Sequence, residues 1–420
     1  MIPYEKFTLE NGLRVIVHRD TSTPIVAMNI LYDVGARDEN PERTGFAHLF
    51  EHLMFGGSVN IPKYDEPLEA VGGQNNAFTS NDVTNYYLTL PKQNLETAFW
   101  LESDRMFGLA FSEKSLEVQR NVVSEEFRQT HLNQPYGDVW LLLRPVAYQV
   151  HPYRWPTIGK EISHITNAKM EDVRAFYDKF YNPDNAVMVV AGNVTTDEVR
   201  QLSEKWFSPI ANKGKHVRNL PQEPPQLEAR RIEVKRQVPS DAIYKVWHMG
   251  SRLDASYHTT DLISDVLSKG DSSRFYQHLI KDKKLFSELD AFIMGSFDNG
   301  LFVVSGNPAK GVSLQSAEAA IDEQMHALVQ QPPSAAELQK VKNRMEATLV
   351  FSRINVLDKA MNLAFAELLG DANLINLEAE KYQAVTTEMF RETASTIFRN
   401  ENSTTLYYKS IEPKDHDTEF

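Results

Sequence analysis

The sequence predicts an α+β architecture of two related domains, each an antiparallel β-sheet with helices packed on one face, the shape of half a clamshell. Three observations lead there. Strand-like runs precede helical ones in both halves, a Pro-rich stretch divides the chain near its middle, and one six-residue pattern returns. Tyr32-Asp33-Val34-Gly35-Ala36-Arg37 is echoed by Trp247-His248-Met249-Gly250-Ser251-Arg252, 215 positions further on and after an expected strand in both cases. The expected boundaries are a first domain over 1–211, a linker over 212–227 and a second domain over 228–420.

Taken in order, Phe7-Thr8-Leu9 and Leu13-Arg14-Val15-Ile16-Val17 read as two strands, because the Asn11-Gly12 pair between them tolerates the positive φ of a tight hairpin. A third strand follows at Ile25 to Tyr32, a helix at Arg43 to Phe55, and further strands at Ala77 to Ser80 and Tyr86 to Leu90. Helices are expected near 93–107, 113–133 and 169–180, and the apolar run Val187 to Val190 reads as a buried strand closing the unit. Gly214, Pro221, Pro224 and Pro225 then fall among charged residues without periodicity, which marks the linker. Beyond it lie strands near 230–237 and 241–248, then helices, a hairpin around Asp298-Asn299-Gly300 and a helical tail ending in a polar, disordered Glu412 to Phe420.

Composition narrows the chemistry. Of 420 residues, 42% are hydrophobic and 24% charged, which supports folded domains with their own cores. The 44 basic and 57 acidic residues leave a formal charge of -13, which repels phosphate backbones and anionic headgroups and argues against nucleic acid or a membrane as partner. Cysteine is absent, so disulfides, cysteine nucleophiles and thiolate metal sites are excluded, and any metal must sit on His, Asp or Glu. Neither a basic-then-apolar leader nor an apolar run of about 18 residues is present. Cytoplasm is the default location, with periplasm the alternative if a leader has been removed.

One helix stands out. Gly45-Phe46-Ala47-His48-Leu49-Phe50-Glu51-His52-Leu53-Met54-Phe55 is strongly apolar, yet three ionisable groups interrupt it. At about 100° per residue, Glu51 and His52 fall within an arc of roughly 100° that includes His48. Two imidazoles at i and i+4 can grip one ion, and the carboxylate beside them can reach a water on it. Core histidines satisfied by backbone carbonyls, with a surface glutamate, are the plainer explanation, but burying three polar groups without a purpose costs several kcal/mol. A catalytic metal needs a third protein ligand, and the helix over 113–133 offers Glu117, Glu125 and Glu126. With Leu116, Val123 and Phe127 defining the buried face, Glu125 points to solvent while Glu126 lies at that face's edge.

The run from Gly45 to Ser58 resembles the inverted zinc motif of the inverzincin peptidases, the group of pitrilysin, insulysin and mitochondrial processing peptidase. The likeness continues through Gly73 to Tyr87, Gln119 to Glu126, and Thr157-Ile158-Gly159, strongly over the first half and faintly over the second. It implies a zinc metalloendopeptidase acting on peptides or unstructured polypeptides, with His48, His52 and Glu126 as ligands of Zn2+ and Glu51 as general base. It also implies that Asn75, Asn76, Ala77, Phe78 and Thr79 form an edge strand holding extended substrate. Two departures stand out. Gln119 occupies the place of a second glutamate in many relatives, from where it can hydrogen-bond near Glu126. Ile280 and Ser287 occupy the places of an Arg and a Tyr that hold the substrate carbonyl, which implies a dimer in which a homologous, zinc-less partner chain brings those groups, with a homodimer as the second arrangement. Two other readings remain: a non-catalytic subunit that keeps the fold, and a non-haem iron site built on the same two His and one carboxylate.

Overall fold

The computed structural model describes residues 1–214 and 216–411; the tail 412–420 and Lys215 of the expected linker lie outside the described residues. Eleven strands form two sheets among these residues. The first contains β1 (Glu5–Thr8), β2 (Arg14–Arg19), β3 (Ile25–Tyr32), β4 (Gln74–Thr79), β5 (Thr84–Pro91) and β6 (Ala186–Gly192) in the order β1-β2-β6-β3-β5-β4. The second contains β7 (Arg230–Arg236), β8 (Ala242–His248), β9 (Phe286–Met294), β10 (Leu301–Pro308) and β11 (Ser403–Ser410) in the order β7-β11-β8-β10-β9.

Leaving out β1, the two orders correspond strand for strand, and so do the directions. β2 pairs with β6 in parallel as β7 does with β11, while the other pairs are antiparallel. The sheets are therefore mixed rather than purely antiparallel. In each, the strand that closes the unit returns from a helix and lies parallel to the strand that opened it, an arrangement that needs a long crossover.

The echoed six-residue pattern has a structural counterpart. The backbone N–H of Arg37 donates to Asn81 O at 2.9 Å, and that of Arg252 to Ser296 O at 2.9 Å, each tying the loop after the third strand to the chain beyond the edge strand. A second echo escaped the sequence reading. Asn185 Nδ2 donates to Asp33 O and Phe180 O, and Asn402 Nδ2 to His248 O and Ile397 O, at 2.9 to 3.1 Å. Tyr181-Asn182-Pro183-Asp184-Asn185 and Phe398-Arg399-Asn400-Glu401-Asn402 are the segments that carry it.

The helices of the first half are α1 (Phe46–Leu53), α2 (Asp65–Ala70), α3 (Leu95–Phe107), α4 (Glu113–Phe127), α5 (Val139–Ala147), α6 (Ile162–Thr166), α7 (Met170–Phe180) and α8 (Thr196–Trp206). Those of the second are α9 (Tyr257–Ser268), α10 (Leu314–Gln330), α11 (Ala335–Phe351), α12 (Val356–Leu368), α13 (Leu374–Ala384) and α14 (Thr387–Ile397). The helix expected to run to 133 is α-helical to Phe127 and continues as a π-helical turn from Arg128 to Leu132.

The compact units are not the contiguous halves that the sequence suggested. One consists of Met1–Arg128, Trp155–Pro221 and Thr348–Glu378, and the other of Gln129–Arg154, Gln222–Ala347 and the chain from Ala379 on. Within the first unit, α12 packs against β3 and β6. Within the second, α5 lays Val139, Leu143 and Ala147 against Val246, Val303 and Leu406 of the sheet. This corrects the expectation of helices on one face only. Every residue of β6 is buried, so its two faces both need cover, and each sheet takes one of its covering helices from the other half of the chain. Among the described residues no helix is long and apolar enough to cross a membrane.

Candidate metal centre

α1 starts from Gly45, whose φ of +87° and close approach to Ile158 O, 2.6 Å from where a Cβ would stand, leave room for glycine alone. Its first free amides are met from a distance: Glu39 Oε2 accepts from Gly45 N at 2.9 Å and Oε1 from Ala47 N at 2.8 Å. Phe46, Ala47, Leu49, Phe50 and Leu53 are buried, and Phe50 stacks on Tyr177 and Tyr181 at 6.0 and 4.8 Å. This packing fixes the rotation of the helix and turns His48, Glu51 and His52 to its opposite, half-open side.

α4 packs beside α1. It is capped by Ser112, whose Oγ accepts from Ser115 N at 3.0 Å, and buries Leu116, Val123, Ser124 and Phe127, the face that the periodicity defined. Glu117 and Glu125 are exposed, while Glu126 is half-buried at the edge of that face.

The Nε2 atoms of His48 and His52 lie 3.3 Å apart, and Glu126 Oε2 lies 3.6 and 3.5 Å from them. Among the described residues this is the one group of three or more side chains able to share a metal ion. The geometry fits zinc: tetrahedral bonds of about 2.0–2.2 Å require donors roughly 3.3–3.6 Å apart. The protonation behaviour agrees. Burial pushes His48 well below its ordinary value despite Glu126, whereas for His52 the burial penalty is outweighed by Glu126, Glu51 and Gln119, and its value is raised. The two imidazoles thus sit in unlike environments around one carboxylate, and a dication placed among them would satisfy all three donors together.

The other residues singled out from sequence fall around this centre. Gln119 hydrogen-bonds to the His52 ring beside the Glu126 carboxylate. Glu51 Oε2 accepts a hydrogen bond from Thr79 Oγ1 at 2.6 Å, and burial raises the Glu51 carboxyl above its ordinary value. Asn75, Asn76, Ala77, Phe78 and Thr79 lie in β4, at the end of the sheet order, so the side of the strand away from β5 is unpaired in the sheet. Asn75 Nδ2 is held by Asp65 Oδ1 at 2.8 Å, and Asn76 Oδ1 accepts from Ala77 N at 2.8 Å. Ile280 lies in the π-helical segment Phe275–Asp282, and Ser287 donates its hydroxyl to Asn307 O at 3.1 Å, so neither place carries a guanidinium or a phenol. Sequence reasoning missed Glu39 and the Thr79–Glu51 bond. An acid shortly before a helix start signals the first; the second joins residues 28 apart and has no local signature.

Comparison with known proteins gives the family. Residues 14–159 match the family model "Insulinase (Peptidase family M16)" and residues 167–345 match "Peptidase M16 inactive domain". The zinc protease PqqE of Helicobacter pylori is 30% identical over 423 residues, 97% of this chain and 93% of that protein. The crystal structure of a protease from Helicobacter pylori covers 97% of this chain and 100% of its own with a TM-score of 0.91 at 26% identity. The periplasmic protease PqqL of Escherichia coli shares the fold with a TM-score of 0.79 at 20% identity, over 98% of this chain but 49% of that one. The chain belongs to the M16 family of peptidases. Its cofactor is zinc.

Proposed function

We propose that the chain is a zinc-dependent endopeptidase that hydrolyses extended peptides and unstructured polypeptides, with His48, His52 and Glu126 as the ligand set and Glu51 as the general base. The observation that carries this reading is the convergence of three donor atoms with a fourth, non-ligating carboxylate on the same helix face. Zinc, when bound, supplies Lewis acidity toward a water and a peptide carbonyl. Glu51 takes the proton of the attacking water and delivers it to the leaving amine, so one carboxylate serves first as base and then as acid. The unpaired side of β4 receives substrate as an added strand through backbone hydrogen bonds, which suits a protease that reads extended shape more than side chains.

The places of Ile280 and Ser287 leave this chain without the Arg and Tyr that would steady the substrate carbonyl, and its span of 49% of PqqL suits one half of a longer assembly. The reading therefore includes a partner chain of similar size and without zinc, with a homodimer as the alternative. A non-catalytic role is the second reading, favoured by the "inactive domain" description of the model matching residues 167–345. The intact donor set and Glu51 in the first half weigh against it. The deciding experiment is Glu51→Gln: zinc is retained while turnover of an unstructured peptide falls by about 10²- to 10⁴-fold. Cleavage at the parental rate would remove Glu51 from the mechanism.

A further inference from the structure

We infer that Thr79 is the positioning residue for the general base: its hydroxyl fixes one oxygen of Glu51 and leaves the other free to accept a proton. The inference rests on Glu51 being the base. Glu51 has three rotatable side-chain bonds and stands on the half-open side of α1, and the hydrogen bond that holds its carboxylate comes from outside that helix. Thr79 Oγ1 donates to Oε2 at 2.6 Å. A threonine suits this task because its branched Cβ restricts χ1, and a hydroxyl at that distance carries a short, charge-assisted bond.

The strand geometry shows why Thr79 and not a neighbour makes the contact. Along β4 the exposed residues are Gln74, Asn76 and Phe78, and the half-buried ones are Asn75, Ala77 and Thr79, so Thr79 stands on the side turned toward the protein. The end of the strand is clamped. Ser80 N donates to Val83 O at 2.8 Å, Ser80 Oγ accepts from Asp82 N and Val83 N, and Ser80 O accepts from Ala36 N at 3.1 Å. Buried Arg37 adds an ion pair to Asp82 at 3.2 Å. The hydroxyl thus projects from a fixed platform. The strand read as the substrate cradle also holds the base, which sets the catalytic carboxylate in register with the peptide laid along that strand. Because the hydroxyl is engaged with Glu51 and the peptide is held by backbone groups, its loss affects the chemical step and leaves substrate binding intact.

Thr79→Val, Thr79→Ser, Glu51→Gln and the double variant Glu51→Gln/Thr79→Val, each purified with any subunit that accompanies the full chain, test this by zinc content, melting temperature, kcat and KM on an unstructured peptide. A crystal structure of Thr79→Val adds a readout independent of activity. The expected result is parental zinc content and melting temperature for Thr79→Val, KM within about twofold, and kcat lower by about 10- to 100-fold. Thr79→Ser recovers most of the rate, the double variant is no slower than Glu51→Gln alone, and the crystal structure shows the Glu51 carboxylate in more than one rotamer. Parental kcat in Thr79→Val, Thr79→Ser as slow as Thr79→Val, or a single unaltered Glu51 rotamer overturns the inference. Parental turnover in Glu51→Gln overturns instead the reading of Glu51 as base, so the two failures are told apart.

Discussion

The helix between the third strand and the edge strand is α1 in one unit and α9 in the other, and the two are filled in opposite ways. α1 offers two imidazoles, and α4, three helices further on in its unit, supplies a carboxylate to meet them. α9 offers acids: Asp261, which accepts from Tyr382 Oη at 2.6 Å, and Asp265, whose carboxyl burial and Asp261 push up to about 6 while Arg344, Lys269 and Lys340 oppose the rise. Two of those cations, Lys340 and Arg344, come from α11, the counterpart of α4. The difference teaches that corresponding helices carry ionisable side chains in both units, a donor set in the first and acids opposed by cations in the second. In the second unit the protein's own lysines and arginine oppose the acids, whereas the donors of the first unit meet without such a cation among the neighbours named for them.

The comparison extends to buried charge, where the largest structural effect is expected. Arg105 in the first unit is 1% exposed and relies on Glu102, which it grips through two hydrogen bonds of 2.9 and 2.6 Å and which also accepts from Tyr64 Oη. Lys245 in the second unit is 2% exposed but has two acids, Glu318 at 2.9 Å and Asp322 at 2.7 Å, the latter 36% exposed. Glu102→Ala leaves a buried guanidinium without its carboxylate, with aromatic faces around it, and is expected to lower unfolding free energy by about 3–5 kcal/mol, whereas Asp322→Asn, with Glu318 still in place and solvent nearby, costs about 1 kcal/mol. Urea denaturation of the two variants measures both, and equal losses would break the contrast.

The next effect tests the likeness instead of the difference. Asn185→Ala and Asn402→Ala each remove two hydrogen bonds to equivalent backbone carbonyls, so each should cost about 1–3 kcal/mol by the same denaturation measurement. A large cost in one unit and none in the other would mean that the repeated contact is conserved in shape but not in energetic role.

Much of the site was legible because its signals are local. The spacing of His48, Glu51 and His52 is one turn of helix, Glu126 follows from the apolar stripe of Leu116, Val123 and Phe127, and the first hairpin from Asn11-Gly12. What escaped depends on distant partners. The helix Val139 to Ala147 is not among the expected elements, and nothing in its apolar run says that it covers β8 and β11 rather than the sheet of its own half. Nor does anything in Val356 to Leu368 direct it to β3 and β6. Glu39 beneath α1, with two hydrogen bonds, and Thr79 against Glu51, with one, make contacts across turns and strands that no periodicity encodes. The Asn185 and Asn402 echo was in the sequence, but its flanking residues differ enough to hide it until both amides are seen on matching carbonyls.

The most direct test of the central claim is the zinc content of the purified chain after metal loading and dialysis, measured by elemental analysis alongside His48→Ala, Glu126→Ala and, as the control from the other unit, Asp265→Ala. Three donors sharing one ion predict about one zinc per chain for the parent and for Asp265→Ala, and almost none for His48→Ala and Glu126→Ala. A parent chain that holds no zinc, or His48→Ala retaining a full equivalent, would contradict it.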